Sequence, residues 1–223
     1  MSSLIQKIEN NFSVTRCVFN LAKETREYAY SKGVKLSKFD LMKQLPELKN
    51  NFPWMKDVHS QTLQGVIERL DKGYDKFFAD LKKGIKTNKP KWAKKKDWKS
   101  VEFKSSAVKV NKDIFEISKI GKIKIFKSRE INGNIKLTRI VKKADEYYLQ
   151  IITDFEIPKC NNQAQLAIDL GISQFVVTSD GEYFENIRTT KKYESKLAEA
   201  QRKLSLKKKG SNNFYKEVEK VKK

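Results

Sequence analysis

The chain has 223 residues, and its 48 Lys and Arg against 27 Asp and Glu give a formal charge of +21 at pH 7. A chain this basic repels itself unless a polyanion neutralises it, so we expect a nucleic acid, RNA or DNA, as its partner. It contains no run of about 18 apolar residues and no signal-peptide pattern, which argues against a membrane protein and favours the cytoplasm.

A second explanation of the charge stays open, because a lysine-rich genome composition can produce solvated lysine helices without any partner. The lysines are clustered, however, and clustering favours nucleic acid.

Zinc and histidine-based metal sites are not predicted, because Cys17 and Cys160 lie outside any CxxC pair and His59 is the only histidine. We expect His59 at the entry to a helix, and we expect no small-molecule substrate.

Residues 1–85 carry apolar side chains at helical spacing and are predicted to form a small helical bundle. The first helix breaks at 31–33, and Ser37 with Asp40 forms a capping box for a second helix that Pro46 is expected to kink. A third helix begins at Ser60, after a connector over 52–54, and its apolar stripe is expected to be core. That stripe comprises Leu63, Ile67, Leu70, Tyr74, Phe77 and Leu81.

Between Lys82 and Lys104 the composition changes to lysines with Trp92 and Trp98 as the large apolar residues. One interpretation is a solvated linker. Interleaved Trp and Lys also favour a surface that stacks bases and holds phosphates, and we prefer this interpretation.

Residues 101–157 alternate apolar and polar side chains, which predicts strands of a small antiparallel sheet or barrel. Asn132-Gly133 is the strongest hairpin signal in the chain, and residues 144–146 mark another tight connection. Pro158 to Gln163 is predicted to be a linker.

From Ala164 onwards the pattern predicts a three-strand meander with a turn at Ser179–Gly181. A basic helix with Tyr193, Leu197, Ala200 and Leu204 along its seam follows, and another starts near Asn213. No helix stop signal precedes Lys223, so we expect the sequence to be cut off inside that helix.

Asp169 lies in the first of these strands and projects from the face it shares with the small residues Ala167 and Gly171. A carboxylate in a half-buried strand is costly unless it is paired or bound to metal, and nucleases of the RNase H type begin a divalent-metal site in this way. A strand-end aspartate that accepts hydrogen bonds from a loop is the alternative. Cleavage by two metal ions needs several carboxylates, and only Asp169 fits, so we expect this chain to cut nothing.

Seven segments, in order, resemble the TnpB, or OrfB, family of RNA-guided endonucleases from bacterial insertion sequences. The match runs almost end to end, and Ala167–Ile172 (AIDLGI) resembles the first motif of the RuvC nuclease domain. The other segments are Thr15–Asn20, Pro53–Gln64, Pro90–Lys96, Ile120–Ile125, Ser179–Gly181 and Gln201–Ser205.

The resemblance implies an α+β fold in three parts. Residues 1–85 correspond to the helical recognition lobe and 86–160 to most of a wedge-like antiparallel β-barrel. Residues 164–223 correspond to the start of an RNase-H-like (RuvC) domain with a helical hairpin. The family's first strand, its later carboxylates and its zinc ribbon are not matched, so we expect truncation at both ends, uncovered sheet edges and marginal solubility.

The resemblance also implies roles for particular residues. Asp169 becomes the first catalytic and metal-binding carboxylate, with Mg²⁺ as the cofactor of the complete enzyme and no zinc in this chain. Guide RNA and target DNA are the expected partners, and the oligomeric state is left open. The residues expected to contact nucleic acid are Lys89, Lys91, Trp92, Lys94, Lys95, Lys96, Arg202, Lys203, Lys207, Lys208 and Lys209.

Three functions are compatible with these features. The chain is a fragment or a decayed frame of an RNA-guided nuclease, a nuclease-dead RNA-guided DNA binder, or a general RNA-binding protein. The third accounts for the charge but not for the cleared strand face around Asp169.

Overall fold

The computed structural model describes residues 3–144, 146–156 and 165–222. The chain divides into two compact units, Met1–Glu156 and Ile157–Lys223. The first contains four α-helices and six strands, and the second contains three strands and two helices in the described residues.

The helices of the first unit occupy its N-terminal half. They are α1 (Ser3–Ser31), α2 (Lys38–Lys43), α3 (Leu45–Asn51) and α4 (Ser60–Lys82), with a 3-10 helix at Pro53–Asp57. The predicted break after α1 is confirmed, and Gly33 adopts a φ of +79° there. The connector predicted over 52–54 is wrong at two of its three positions, because Pro53 and Trp54 are the first residues of the 3-10 helix.

Local capping signals were predicted correctly. Ser37 and Asp40 form the capping box of α2, and His59 is the residue that precedes α4. The kinked helix at Pro46 is wrong: α2 ends at Lys43, and Pro46 lies in the first turn of α3, where its missing N–H costs no hydrogen bond.

The predicted stripe of α4 forms much of the core. Leu63, Ile67, Leu70 and Tyr74 are buried, and Phe77 packs against them. Leu81 is 48% exposed, so its assignment to the core is wrong. It lies in the last turn of α4, just before Gly84 takes the chain into the connector.

The strands of the first unit form two antiparallel sheets of three strands. One has the order β1-β5-β6 and the other β2-β3-β4. These strands are β1 (Ser100–Lys104), β2 (Val108–Asn111), β3 (Ile114–Ile117), β4 (Gly121–Lys124), β5 (Ile135–Lys143) and β6 (Glu146–Thr153). The described residues form no closed barrel, so that prediction is corrected: each sheet has only three strands and keeps two free edges.

The hairpin predicted at Asn132-Gly133 is also wrong. Strand β4 pairs with β3, whereas β5 pairs with β1 and β6, so the loop that contains Gly133 connects two sheets. Gly133 is needed for another reason: it has a φ of +79°, and a Cβ there would lie 2.8 Å from the backbone nitrogen of Phe155. The tight connection after β5 is confirmed, because Lys143 pairs with Glu146.

Helices and sheets of the first unit share one apolar core. Phe103, Phe115 and Ile117 from the strands belong to the same buried cluster as Leu63 and Ile67 from α4. The division into lobes at residues 85 and 86 stays a prediction, and the linker predicted at Pro158–Gln163 lies outside the described residues.

The described part of the second unit confirms the predicted meander and helical hairpin. Strands β7 (Ile168–Leu170), β8 (Gln174–Thr178) and β9 (Tyr183–Glu185) form an antiparallel sheet in that order. Helices α5 (Thr189–Ser205) and α6 (Asn212–Lys222) follow and pack on each other.

Candidate nucleic-acid interface

The connector between α4 and β1 is fastened to α1 by Trp98. The Trp98 ring is 9% exposed, its Nε1 donates a hydrogen bond to Thr15 Oγ1 at 3.0 Å, and its centroid lies 5.0 Å from that of Phe19. The guanidinium carbon of Arg69 lies over the ring, 4.5 Å from its centroid. The sequence-based assignment of Trp98 to a base-stacking surface is therefore wrong, because the ring is core.

A second attachment holds the middle of the connector. Asn20 Nδ2 donates to the carbonyl oxygen of Ala93 at 3.1 Å, and the Ala93 N–H donates to Asn20 Oδ1 at 2.8 Å. Further back, Pro90 packs so closely on Gly73 of α4 that a Cβ there would lie 3.1 Å from Pro90 Cγ. The connector backbone between Pro90 and Trp98 is thus tied to the helices at three points.

The lysines of this connector point outwards. Lys89, Lys91, Lys94, Lys95 and Lys96 are all exposed, and none forms an ion pair with a described carboxylate. A fastened backbone with free ammonium groups presents a fixed row of positive charge.

Trp92 stands in this row with one face covered. Lys23 Nζ lies 4.1 Å from the ring centroid, and Trp92 is 49% exposed. Lys23 is held by an ion pair of 2.7 Å to Glu27, which also accepts a hydrogen bond from Tyr74 at 3.1 Å. Burial, followed by that hydrogen bond, raises the pKa of Tyr74 to about 12.

Sequence reasoning missed Thr15 and Asn20 as residues that position this surface. Both lie on α1, and their partners are 83 and 73 residues away in the chain. The available signal was two polar residues on the buried side of an amphipathic helix, and buried polar groups need hydrogen-bond partners.

The other predicted basic residues lie on the helical hairpin of the second unit. Arg202, Lys203, Lys207, Lys208 and Lys209 are exposed. Lys203 is partly neutralised, because its Nζ lies 2.6 Å from Glu199 Oε1, and that hydrogen bond raises the pKa of Lys203.

Asp169 lies at the centre of β7, opposite Val177 of β8. It is exposed, and so are its neighbours Ile168 and Leu170, which are 57% and 72% exposed. The expectation of a half-buried strand is therefore wrong. In the described residues, the side chains on both faces of β7 are exposed.

The backbone on both sides of Asp169 is nevertheless well defined. The Ser179 N–H donates to the carbonyl oxygen of Ala167 at 2.9 Å, and the Ala167 N–H donates to Ser179 Oγ at 3.3 Å. A Cβ on Gly171 would lie 2.8 Å from the carbonyl oxygen of Gln174. A glycine at position 171 is thus required by the tight turn that follows.

Comparison with known proteins finds similarity to one family. A family model named OrfB_IS605 and described as "Probable transposase" matches residues 140–223. A protein of Escherichia coli K12 named "Putative RNA-guided DNA endonuclease InsQ" is 29% identical over 213 residues, which is 92% of this chain. These matches support the TnpB/OrfB family for this chain. A relative from Streptomyces pristinaespiralis, named "Putative RNA-guided DNA endonuclease", is 27% identical over 223 residues.

The chain spans about half the length of the curated relatives it matches, 52% of the first and 54% of the second. The segment matched by the family model includes Asp169, the whole described meander and the α5–α6 hairpin.

The described residues do not form a metal site by themselves. Throughout the described ranges, no group of three or more His, Cys, Asp or Glu side chains is arranged to hold an ion. Asp169 supplies a single carboxylate. In the same ranges, no helix is long and apolar enough to cross a lipid bilayer.

Proposed function

We propose that this chain binds guide RNA and target DNA as part of an RNA-guided DNA endonuclease, and that its 223 residues alone bind without cutting. The observation that carries the proposal is the connector, which holds free lysines on a backbone fastened to α1. The names of the relatives supply the chemical identity of the ligands.

A fixed row of lysines suits a phosphate backbone for a physical reason. Each phosphate neutralised by a lysine releases condensed counterions, which makes binding favourable at low salt and weak at high salt. Fastening the backbone through Trp98 and Asn20 reduces the ordering cost that a flexible lysine tail incurs on binding. Trp92, open on one face, adds a surface for a base.

The binding test removes three of these charges together. The variant Lys91→Gln, Lys94→Gln, Lys96→Gln loses three positive charges. We expect the negative slope of log K against log salt to become shallower by about 2 to 3, for RNA and for an RNA–DNA heteroduplex. Fluorescence anisotropy with labelled strands of about 20 nucleotides measures this slope.

A matched variant removes three exposed lysines elsewhere: Lys35→Gln, Lys72→Gln, Lys76→Gln. It has the same net charge as the connector variant, so it separates a local contact from the overall field. Equal loss of affinity in both variants contradicts the connector as the contact surface. A wild-type chain that binds neither RNA nor the heteroduplex contradicts the function itself.

For Asp169 we propose the role of a metal-binding carboxylate that needs partners from outside the described residues. The purified chain with guide RNA, target DNA and Mg²⁺ is therefore expected to leave the DNA intact, with the wild type and Asp169→Asn indistinguishable on a sequencing gel. Cleavage by the wild type that Asp169→Asn abolishes would show that the chain completes the site by itself.

A further inference from the structure

Three basic side chains meet where the helices adjoin the β2-β3-β4 sheet. Lys49 comes from the end of α3, His59 precedes α4, and Lys119 occupies the turn between β3 and β4. Lys49 Nζ donates to Ser60 Oγ at 2.6 Å, which brings its ammonium group to the residue next to His59. We call these three residues the basic cluster.

No carboxylate of the described chain neutralises the basic cluster. Neither Lys49 nor Lys119 forms an ion pair within those residues, and the buried Nδ1 of His59 has no hydrogen-bond partner there. The acidic residue beside it in sequence, Asp57, is 3.5 Å from Asn10 Nδ2 instead. Like charges held together without a counter-charge are destabilising, so a bound anion is the expected compensation.

Burial and the neighbouring positive charges lower the pKa values of two of these groups, Lys49 and His59. Burial and then the charge of Lys119 lower the pKa of Lys49. Burial, then Lys49 and Lys119, lower the pKa of His59 below its ordinary 6.5. His59 is therefore neutral at pH 7 in the free chain, and an anion beside it would favour the protonated form.

The turn at Lys119 is also conformationally unusual. Lys119 adopts a φ of +67°, a left-handed conformation that lysine rarely occupies and that is retained only where the surroundings enforce it. Its neighbour Ile120 is 2% exposed and anchors the turn in the core. The lysine is thereby held in place at the protein surface.

The basic cluster continues towards the connector. Lys119 lines a cleft of about 630 Å³ together with Lys7 and Lys95. Two carboxylates also line the cleft: Glu9 is occupied by Lys142 and Tyr147, and Asp57 lies 3.5 Å from Asn10 Nδ2 without an ion pair to these lysines. Lysines without an ion pair in the described residues thus extend from Lys95 of the connector through Lys119 to Lys49.

We propose that Lys49, His59 and Lys119 form a phosphate-binding subsite for the backbone of the bound nucleic acid, and that protonation of His59 tightens it. The inference rests on the proposed function, because the phosphate belongs to the same RNA or DNA that lies on the connector. Phosphodiesters do not titrate near neutral pH, so the pH response comes from the protein.

The test uses the fact that His59 is the only histidine in the chain. Affinity for an RNA–DNA heteroduplex of about 20 base pairs is measured by anisotropy at about pH 7.5 and about pH 5.5. We expect the wild type to bind roughly three- to tenfold more tightly at the lower pH and His59→Gln to show no more than a small residual change.

Two lysine variants test the rest of the subsite. Lys49→Gln and Lys119→Asn are each expected to make the negative slope of log K against log salt shallower by about 1. Lys72→Gln, on the exposed face of α4, is the matched control. Asparagine is chosen at 119 because it tolerates a positive φ, so the turn is kept.

A second measurement does not depend on affinity. The His59 ring resonances in a proton NMR spectrum, followed against pH, are expected to give a pKa below the ordinary value in the free chain and a higher one with heteroduplex bound. Binding by wild type and His59→Gln with the same pH response, together with an unmoved His59 pKa, overturns the subsite but leaves the proposed function standing. A chain that binds no nucleic acid at either pH overturns both.

Discussion

At the scale of single residues, Trp92 and Trp98 show how one composition pattern yields two roles. Both stand in the same lysine-rich connector, yet Trp98 is buried against Phe19 and Thr15 while Trp92 is half exposed under Lys23. A buried indole contributes packing and a hydrogen bond, whereas a half-exposed one can still stack on a base.

We therefore expect the two tryptophans to separate in experiment. Trp98→Ala should lower the free energy of unfolding by roughly 3 to 5 kcal/mol, because it leaves a cavity and removes the hydrogen bond that Thr15 Oγ1 accepts. Trp92→Ala should change stability by less than about 1 kcal/mol but weaken binding of single-stranded RNA by about 1 to 3 kcal/mol. Urea unfolding and anisotropy measure the two quantities. Equal destabilisation by both changes would contradict the distinction.

Which residues could be assigned from sequence depended on how far away their partners lie. Ser37 and Asp40, three residues apart, and His59 at the start of α4 were predicted correctly, because capping depends on neighbours in the chain. The contacts of Trp98 and Asn20 were not, because each partner lies on α1, more than 70 residues away.

At the scale of elements, local periodicity predicted the helices, the β7-β8-β9 meander and the α5–α6 hairpin. It did not predict which strands pair in the first unit. The choice of β1 and β6 as partners of β5 is a long-range contact, and an Asn-Gly pair can occupy any loop that needs a positive φ. Exposure of Asp169 was missed for the same reason, since burial depends on what packs over β7.

Glu9 is the residue that joins α1 to the β5-β6 hairpin. Its carboxylate accepts hydrogen bonds from Lys142, at 2.6 Å, and from Tyr147. Burial alone would raise the pKa of Glu9, but the hydrogen bonds from Lys142 and Tyr147 and the nearby lysine charges lower it overall. The ionised form is therefore the one that stabilises this junction.

The sign of the pH dependence follows. Because the pKa of Glu9 is lower in the folded chain than its ordinary 4.5, its contribution is present above that value and is lost as the pH falls through the folded pKa. We expect Glu9→Gln to cost roughly 1 kcal/mol at pH 7 and much less in acid below the folded pKa. Urea unfolding at both pH values measures this. Glu24→Gln, exposed on the same helix, is the control, and a pH-independent cost would contradict the ionic junction.

At the scale of the whole molecule, the two units differ in how they are stabilised. Every buried hydrophobic side chain of the described residues lies in the first unit, whereas Thr178 is the buried residue found in the second. The described β7-β8-β9 sheet exposes Ile168, Leu170 and Phe184 by more than half on one face. Burial of apolar surface is the main stabilising term in folding, so the first unit should be much the more stable of the two.

This difference can be measured without mutation, because all three tryptophans, Trp54, Trp92 and Trp98, lie in the first unit. Tryptophan fluorescence therefore reports unfolding of residues 1–156 alone, and far-UV circular dichroism reports both units. We expect the dichroism to decrease at lower urea than the fluorescence changes, since the α5–α6 hairpin unfolds first. Brief trypsin digestion should likewise leave a resistant fragment that contains the first unit, despite its many exposed lysines. Coincident unfolding curves and uniform digestion would instead mean that the chain unfolds as one cooperative body, with the second unit stabilised to the same extent as the first.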